Sequence, residues 1–249
     1  MCDGTLNLRW YRPKMKTSLD HLVVVAHTLE QGVQWCEATL GITPAPGGEH
    51  AHFGTHNRLF KIATPAYPLA YLEIIAINPS AKGPANPHAK RWFDMDSPAL
   101  RAAVATEPRL VHWVANTDEL LAARLALKGL GIDRGPALPA SRHSRKGVLH
   151  WQITVRDDGQ RLFEGALPSL IQWGKVGDAE PLRLHPRNTL PRSGVSLQSV
   201  AIAHPNAAKL QAAYEAVGLT GVTLEDGPAN ITAMLKTPKG EVRLQSLGI

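Results

Sequence analysis

Cysteine is nearly missing from this chain: 249 residues contain two, Cys2 and Cys36. Two thiols make no disulfide framework, so stability has to come from a packed core, and a reducing compartment, the cytoplasm, is expected. No apolar run approaches the roughly 18 residues of a membrane span, so no membrane partner is expected. The first residues, MCDGTLNLRWYRPKMKTS, carry charges but no apolar h-region, which excludes a secretory signal there. There is no Gly-rich phosphate loop, GxSxG elbow or CxxC pair, and nothing points to a nucleotide cofactor. Zinc-finger, helix-turn-helix and RNP patterns are also lacking. The net charge of +6 is therefore not read as a nucleic-acid footprint. Its Lys and Arg residues are scattered, apart from one cluster at Arg142, Arg145 and Lys146, and an anionic metabolite would use that charge equally well. Aromatics are only 6% of the chain, but six of them are tryptophan.

What is present is ordinary globular material, 44% hydrophobic and 19% charged, and long enough to bury a substantial core. It is organised by a repeat. HLVVVAHTLEQGVQWCEATLGI (21–42), LVHWVANTDELLAARLALKGLGI (110–132) and SVAIAHPNAAKLQAAYEAVGLT (199–220) share one plan. An apolar strand ends in Val-Ala or Ile-Ala. His27-Thr28, Asn116-Thr117 or His204-Pro205 follows, then about three helical turns and a closing Gly41, Gly131 or Gly218. Thr28 and Thr117 are expected as helix N-caps, and the glycines as left-handed helix ends. Strand candidates follow at 55–62 and 69–77, at 148–155 and 167–173, and at 222–225, 231–237 and 241–247. Segments 79–90 and 174–196 read as Pro/Gly-rich connectors, and 133–147 as a long polar loop. The unit is strand, helix, then two or three strands. The expected division is an extension at 1–14, a first βαβββ module at 15–90, a second at 91–180, and a linker with a third at 181–249. Pairing such units side by side covers their edges and curves the sheet, and the concave face is a natural pocket. Three copies leave one unpaired or favour a homodimer.

Two residues stand out for chemistry. Strand alternation puts His21, Val23 and Val25 on one face and Asp20, Leu22 and Val24 on the other. In AYLEIIAI, Glu73 interrupts an apolar run, and a buried carboxylate is costly unless paired, hydrogen-bonded or metal-bound. His21 and Glu73 read either as metal ligands or an acid/base pair, with Glu73 catalytic, or as a buried histidine and a glutamate paired with an arginine such as Arg58. Imidazole plus carboxylate would suit Zn, Fe, Ni, Mn or Co. In GEHAHFGTHNRLF, three histidines within seven positions look like a metal site, yet His50 and His52 fall in a loop, where solvated histidines are common. His56 and Asn57 are candidates to touch a ligand, and His56 is also a candidate third metal ligand. Trp92, Trp113, Trp151 and Trp173 fall near strands or connectors, and either line a pocket or pack in the core. Cys36, within a helix, reads as a small buried thiol.

The segments LDHLVVVAHTLEQGVQWCEATLGI, GGEHAHFGTHNRLFKI and YLEIIAINP, with RWFDMD, HWVANTDEL, LPSLIQWG and HPRNTLPRSGV, resemble the bacterial glyoxalase-like domain family of the vicinal-oxygen-chelate superfamily. The resemblance implies an α+β fold of repeated βαβββ modules, forming cupped, mostly antiparallel sheets with helices outside. It also implies metal ligands on the first and last strands of a module. Those are His21 and Glu73 in the first module. Leu110, which cannot ligate, stands in the second, and Gln198 and Gln245 in the third. The set of strong ligands is incomplete. The expected function is accordingly a small-molecule pocket serving a divalent-metal-dependent lyase, isomerase or dioxygenase on an oxygen-rich metabolite. The alternatives are a non-catalytic binding or sequestration protein, and an interaction module with a filled pocket.

Overall fold

The computed structural model describes residues 15–84, 88–144, 146–175 and 177–249. The expected extension at 1–14, and Arg145 of the basic cluster, lie outside them.

Strand β1 (Thr17–Val25) leads into helix α1 (Leu29–Leu40), then β2 (Ala45–His50), β3 (Thr55–Lys61) and β4 (Tyr71–Ile77). After helix α2 (Pro98–Thr106) the plan recurs as β5 (Arg109–Thr117), α3 (Leu120–Gly129), β6 (Ala137–Ser144), β7 (Gly147–Thr154) and β8 (Ser169–Trp173). The two sets form one sheet in the order β2-β3-β4-β1-β5-β8-β7-β6. In each set the first and last strands pair in parallel, β1 with β4 and β5 with β8. The sets join through antiparallel β1 and β5, where His21 lies opposite Val114. This is a curled α+β sheet built from two βαβββ modules.

The chain then passes through a one-turn helix, α4 (Pro186–Thr189), to β9 (Ser196–Ala203), α5 (Ala207–Ala216), β10 (Leu219–Thr220), β11 (Thr223–Glu225), β12 (Asn230–Thr237) and β13 (Gly240–Gln245). The strand-helix-strand plan recurs along the chain, but the pairing changes. The second sheet runs β11-β9-β12-β13, with β9 between two later strands, and β10 adds to β1 of the main sheet.

Local chemistry explains the frame. Thr28 Oγ1 accepts the Gln31 N–H at 3.1 Å and Gln31 Oε1 accepts the His27 N–H at 2.8 Å, a reciprocal N-cap on α1. Gly41, at φ 75°, closes that helix. At Gly32 a Cβ would come within 2.4 Å of Ile74, so glycine there lets α1 lie close against β4. Thr117 does not cap α3. It ends β5, and its hydroxyl accepts from Glu119 N while the Gln172 side chain caps Leu120 N.

The expected loop at 133–147 is largely strand β6, and the turn PAPGG runs into strand β2. Both are outermost strands of the main sheet. Outermost strands carry the Pro, Gly and polar residues that discourage edge-to-edge association, and that is what makes them read as loops.

One core lies on the convex side, where Leu22, Val24, Leu72, Ile74, Trp113 and Ala115 meet Cys36, Leu40, Leu127, Tyr214, Val200 and Leu235. A second lies inside the cup, with Val23, Val25, Ile75, Val114, Leu149, Ile153, Ile171 and Trp173 beside Trp92 and Phe93.

Candidate functional site

Along β1 the register slips between Leu19 and His21. This bulge breaks strict alternation, so Asp20 does not face the opposite side from His21 as expected. Its carboxylate is fully buried and takes three donors: His21 Nδ1 at 2.7 Å, Trp173 Nε1 at 2.8 Å and His185 Nε2 at 3.1 Å. His185 Nδ1 in turn accepts the Arg187 N–H at 3.0 Å, which fixes His185 as an Nε2–H donor. Burial works to raise the Asp20 carboxyl, but His185 and His21 outweigh it and hold the group below the ordinary carboxylate range.

With Nδ1 committed to Asp20, His21 presents Nε2 to Glu73, whose Oε2 lies 3.7 Å away. Tyr71 stacks on the imidazole, with ring centroids 4.5 Å apart. Burial, reinforced by Asp20 and Glu73, pushes the Tyr71 hydroxyl well above its ordinary value, so it stays neutral. Glu73 is 4% exposed and has no arginine partner among the described residues; Arg58 lies half-buried on β3, next to Leu59, which pairs with Glu73. Instead Asn57 Nδ2 donates to Glu73 Oε1 at 2.5 Å, and the Asn57 carbonyl accepts the Gly48 N–H at 2.7 Å. His50 Nε2 lies 3.3 Å from Asn57 Nδ2 and 3.9 Å from Glu73, and His50 Nδ1 lies 3.1 Å from Thr55 Oγ1. Those partners suit a neutral His50 that donates to Thr55 and accepts from Asn57. Burial holds His50 below its ordinary value; Glu73 opposes this and Arg142 adds to it.

These side chains line a cavity of about 470 Å³ including its open mouth, with about 40 Å³ at its centre free for water-sized molecules. That central space holds a few waters or a small ligand group. The second module contributes Arg142, Leu149, Trp151, Ile153, Ile171 and Trp173, so the cavity lies between the two modules. Arg142 has no carboxylate partner among the described residues. Trp92 enters from the inter-module connector, stacked on Phe53 at 4.0 Å. Its indole Nε1 is buried and has no hydrogen-bond partner among the described residues. The next two residues, Phe93 and Asp94, hold left-handed φ values of 58° and 57°. Such strain persists where the surroundings enforce it, here through Asp94 to Arg161 at 2.9 Å and Asp96 to Arg91 at 2.6 Å.

Of the residues singled out in the sequence, His21, Asn57, Glu73, Trp92 and Trp173 line this cavity, and so does Trp151. His56 does not. It alternates with Asn57 on β3, and its electrostatic neighbours are Glu30, Glu49 and Arg58. Trp113 is fully buried on the convex side, where its Nε1 donates to Ala166 O at 3.0 Å, so it packs in the core. His50, expected in solvent, lines the cavity, and Asp20, His185 and Arg142 complete the surroundings. Gln198 is exposed and bonds Ser196, and Gln245 belongs to the second sheet, so neither reaches the cavity. In the second module Val114 pairs with Ser169 as His21 pairs with Tyr71. Val114 and Ile171 therefore hold the positions of His21 and Glu73, which replaces the expected Leu110.

The expected metal set is not completed. A catalytic metal site commonly has three protein ligands. Asp20 does orient His21 as an outer partner orients a ligating histidine. Among the described cavity residues His21 Nε2 and Glu73 Oε2 are the donors free to ligate, because the His50 lone pair faces Asn57 and the second module offers Val114 and Ile171. Among the described residues no group of three His, Cys, Asp or Glu side chains is arranged to hold a metal ion.

No curated protein matches the chain. A hypothetical protein from Staphylococcus aureus is similar in structure, with a TM-score of 0.56 and 15% identity, over 92% of this chain and 85% of that one. Methylmalonyl-CoA epimerase from Mycobacterium tuberculosis aligns with a TM-score of 0.33 and 13% identity, over 62% of this chain and 85% of that one. A hypothetical protein from Bacillus halodurans aligns with a TM-score of 0.38 and 10% identity, over 65% and 98%. The model of the glyoxalase-like domain matches residues 19–218, most of the chain, and the protein belongs to that family, with the vicinal-oxygen-chelate fold.

Proposed function

We propose that the cavity binds a small, anionic, oxygen-rich metabolite and that His21 and Glu73 move a proton at a carbon next to its carbonyl group, as an isomerase, epimerase or lyase does. The observation that carries this reading is the alignment of Asp20, His21 and Glu73. One imidazole nitrogen is tied to a buried carboxylate at 2.7 Å, and the other lies 3.7 Å from a second carboxylate that also lines the cavity. An imidazole so oriented holds a defined tautomer and is ready to take or give a proton at Nε2. Glu73 is the second proton-transfer group, steadied by the Asn57 amide. Arg142 would meet the substrate's anionic group, and the unpartnered Trp92 N–H would donate to oxygen on which charge develops. No step is routed through a metal ion, since two free donors do not make the three-ligand set.

The test is proton exchange. Small keto acids and malonate-type diacids are screened for thermal stabilisation, and those that bind are incubated with the protein in deuterium oxide. Deuterium should enter the carbon next to the carbonyl, and Glu73→Gln should slow this at least 100-fold while leaving affinity within a few-fold. Binding without exchange in the unaltered protein would overturn the enzyme reading and leave a sequestration protein, which a small buried cavity would also serve.

A further inference from the structure

Helix α4 is shared by two concavities. Pro186 touches the cavity above, whereas Arg187 and Asn188 line a separate, more open groove, about 1190 Å³ including its mouth, between β3, the loop at 63–68 and the segment entering β9. The lining of that groove holds three cations, Lys61, Arg187 and Arg192, and no acidic residue. None of the three forms a salt bridge with a described residue. Lys61 and Arg192 are set side by side by a parallel backbone bridge, reinforced by Ser193 Oγ donating to Lys61 O. Like charges placed opposite each other across paired strands repel. Among the described residues Arg187 Nε is buried with no hydrogen-bond partner, and Nη1 reaches Pro68 O at 3.4 Å. Three cations on one groove, with no acidic partner among the described residues, suit a ligand that brings several negative oxygens, and arginine with lysine is a recurring pairing for phosphate.

We propose that this groove is a second ligand site, for a multiply charged phosphate, and that α4 carries its occupancy to the first site. The physical route is short. The Arg187 N–H donates to His185 Nδ1, His185 Nε2 donates to Asp20, and Asp20 holds His21 Nδ1. An anion that draws the Arg187 guanidinium into the groove pulls on the residue whose backbone orients His185.

The probe is sodium pyrophosphate, titrated by calorimetry into the full chain at fixed ionic strength. One equivalent should bind saturably. Lys61→Gln and Arg192→Gln, both away from the His21 network, should each weaken binding at least tenfold with unchanged circular dichroism. At saturation the imidazole nitrogen resonances of His185 and His21 should shift. Absence of saturable binding, or equal affinity in both variants, overturns the site. Binding with both imidazoles unmoved overturns the coupling through α4. Neither result depends on whether the first cavity is catalytic, because no substrate enters the experiment.

Discussion

Asp20→Asn is the sharpest perturbation of the buried network. The side chains are nearly isosteric, so no cavity opens and packing does not confuse the outcome. The carboxylate accepts from His21, Trp173 and His185 and is fully buried. An asparagine oxygen can accept two of those donors, while its NH2 must face the third. One buried donor left unsatisfied costs about 1–3 kcal/mol. The other two bonds lose their charge assistance, which roughly halves them. Against this, the neutral amide is cheaper to bury than a carboxylate. The net expectation is a loss of about 3 kcal/mol, read as a lower urea midpoint at unchanged slope near neutral pH. The pH dependence has a definite sign. The folded-state pKa of Asp20 lies below its unfolded value, so its contribution is present above about pH 3.9 and is lost as pH falls through the folded-state pKa. The gap between the unaltered protein and Asp20→Asn should therefore narrow only in acid. A destabilisation under 1 kcal/mol at neutral pH, or a gap that widens on acidification, would refute the reasoning.

Further outcomes follow from the same geometry. Glu73→Gln keeps an acceptor for Asn57 and removes a buried charge, so stability should hold within about 1 kcal/mol of the unaltered protein by urea titration, even as proton exchange is lost. Gly47→Ala would place a Cβ 1.9 Å from Asn57 Oδ1, displacing the amide that steadies Glu73. Ligand affinity measured by calorimetry should fall about tenfold, near 1.4 kcal/mol. Burial pushes the Cys36 thiol up to about 12, and the residue is fully enclosed, so a disulfide reagent at pH 8 should not label Cys36 until the protein is unfolded.

The frame of the fold was legible because it rests on local signals that repeat. Apolar strands, a Thr28 cap and glycines closing helices mark β1 with α1, and similar spacing marks β5 with α3 and β9 with α5. The edge strands β2 and β6 were hidden by the polarity and proline that suit an edge. The pairing of the third set was hidden for another reason. Strand order depends on which surface a segment buries, and β9 and β12 set Val200, Ile202, Ala233 and Leu235 against the convex side of the main sheet. A linear repeat does not contain that choice.

The site divides along the same line. His21 and Glu73 could be found because each is a polar residue inside an apolar strand, a departure that burial makes costly. Asn57 and His56 could not be separated by residue type, only by strand phase, and phase is fixed by the pairing of β3 with β4, where Asn57 lies opposite Ile75 and the Asn57 amide turns in to Glu73. His50 looked solvated because its strand looks like a loop. Strict alternation places Asp20 on the opposite face from His21, but alternation fails at a bulge, and the bulge is what brings Asp20 to His21 Nδ1. His185 is 165 residues away from Asp20 along the chain, in a connector with no periodicity to read. The orientation of His21 thus depends on one irregularity in β1 and one long-range contact. Tests at Asp20 and His185 probe it more directly than further substitution of His21, whose loss any of the competing functions would predict.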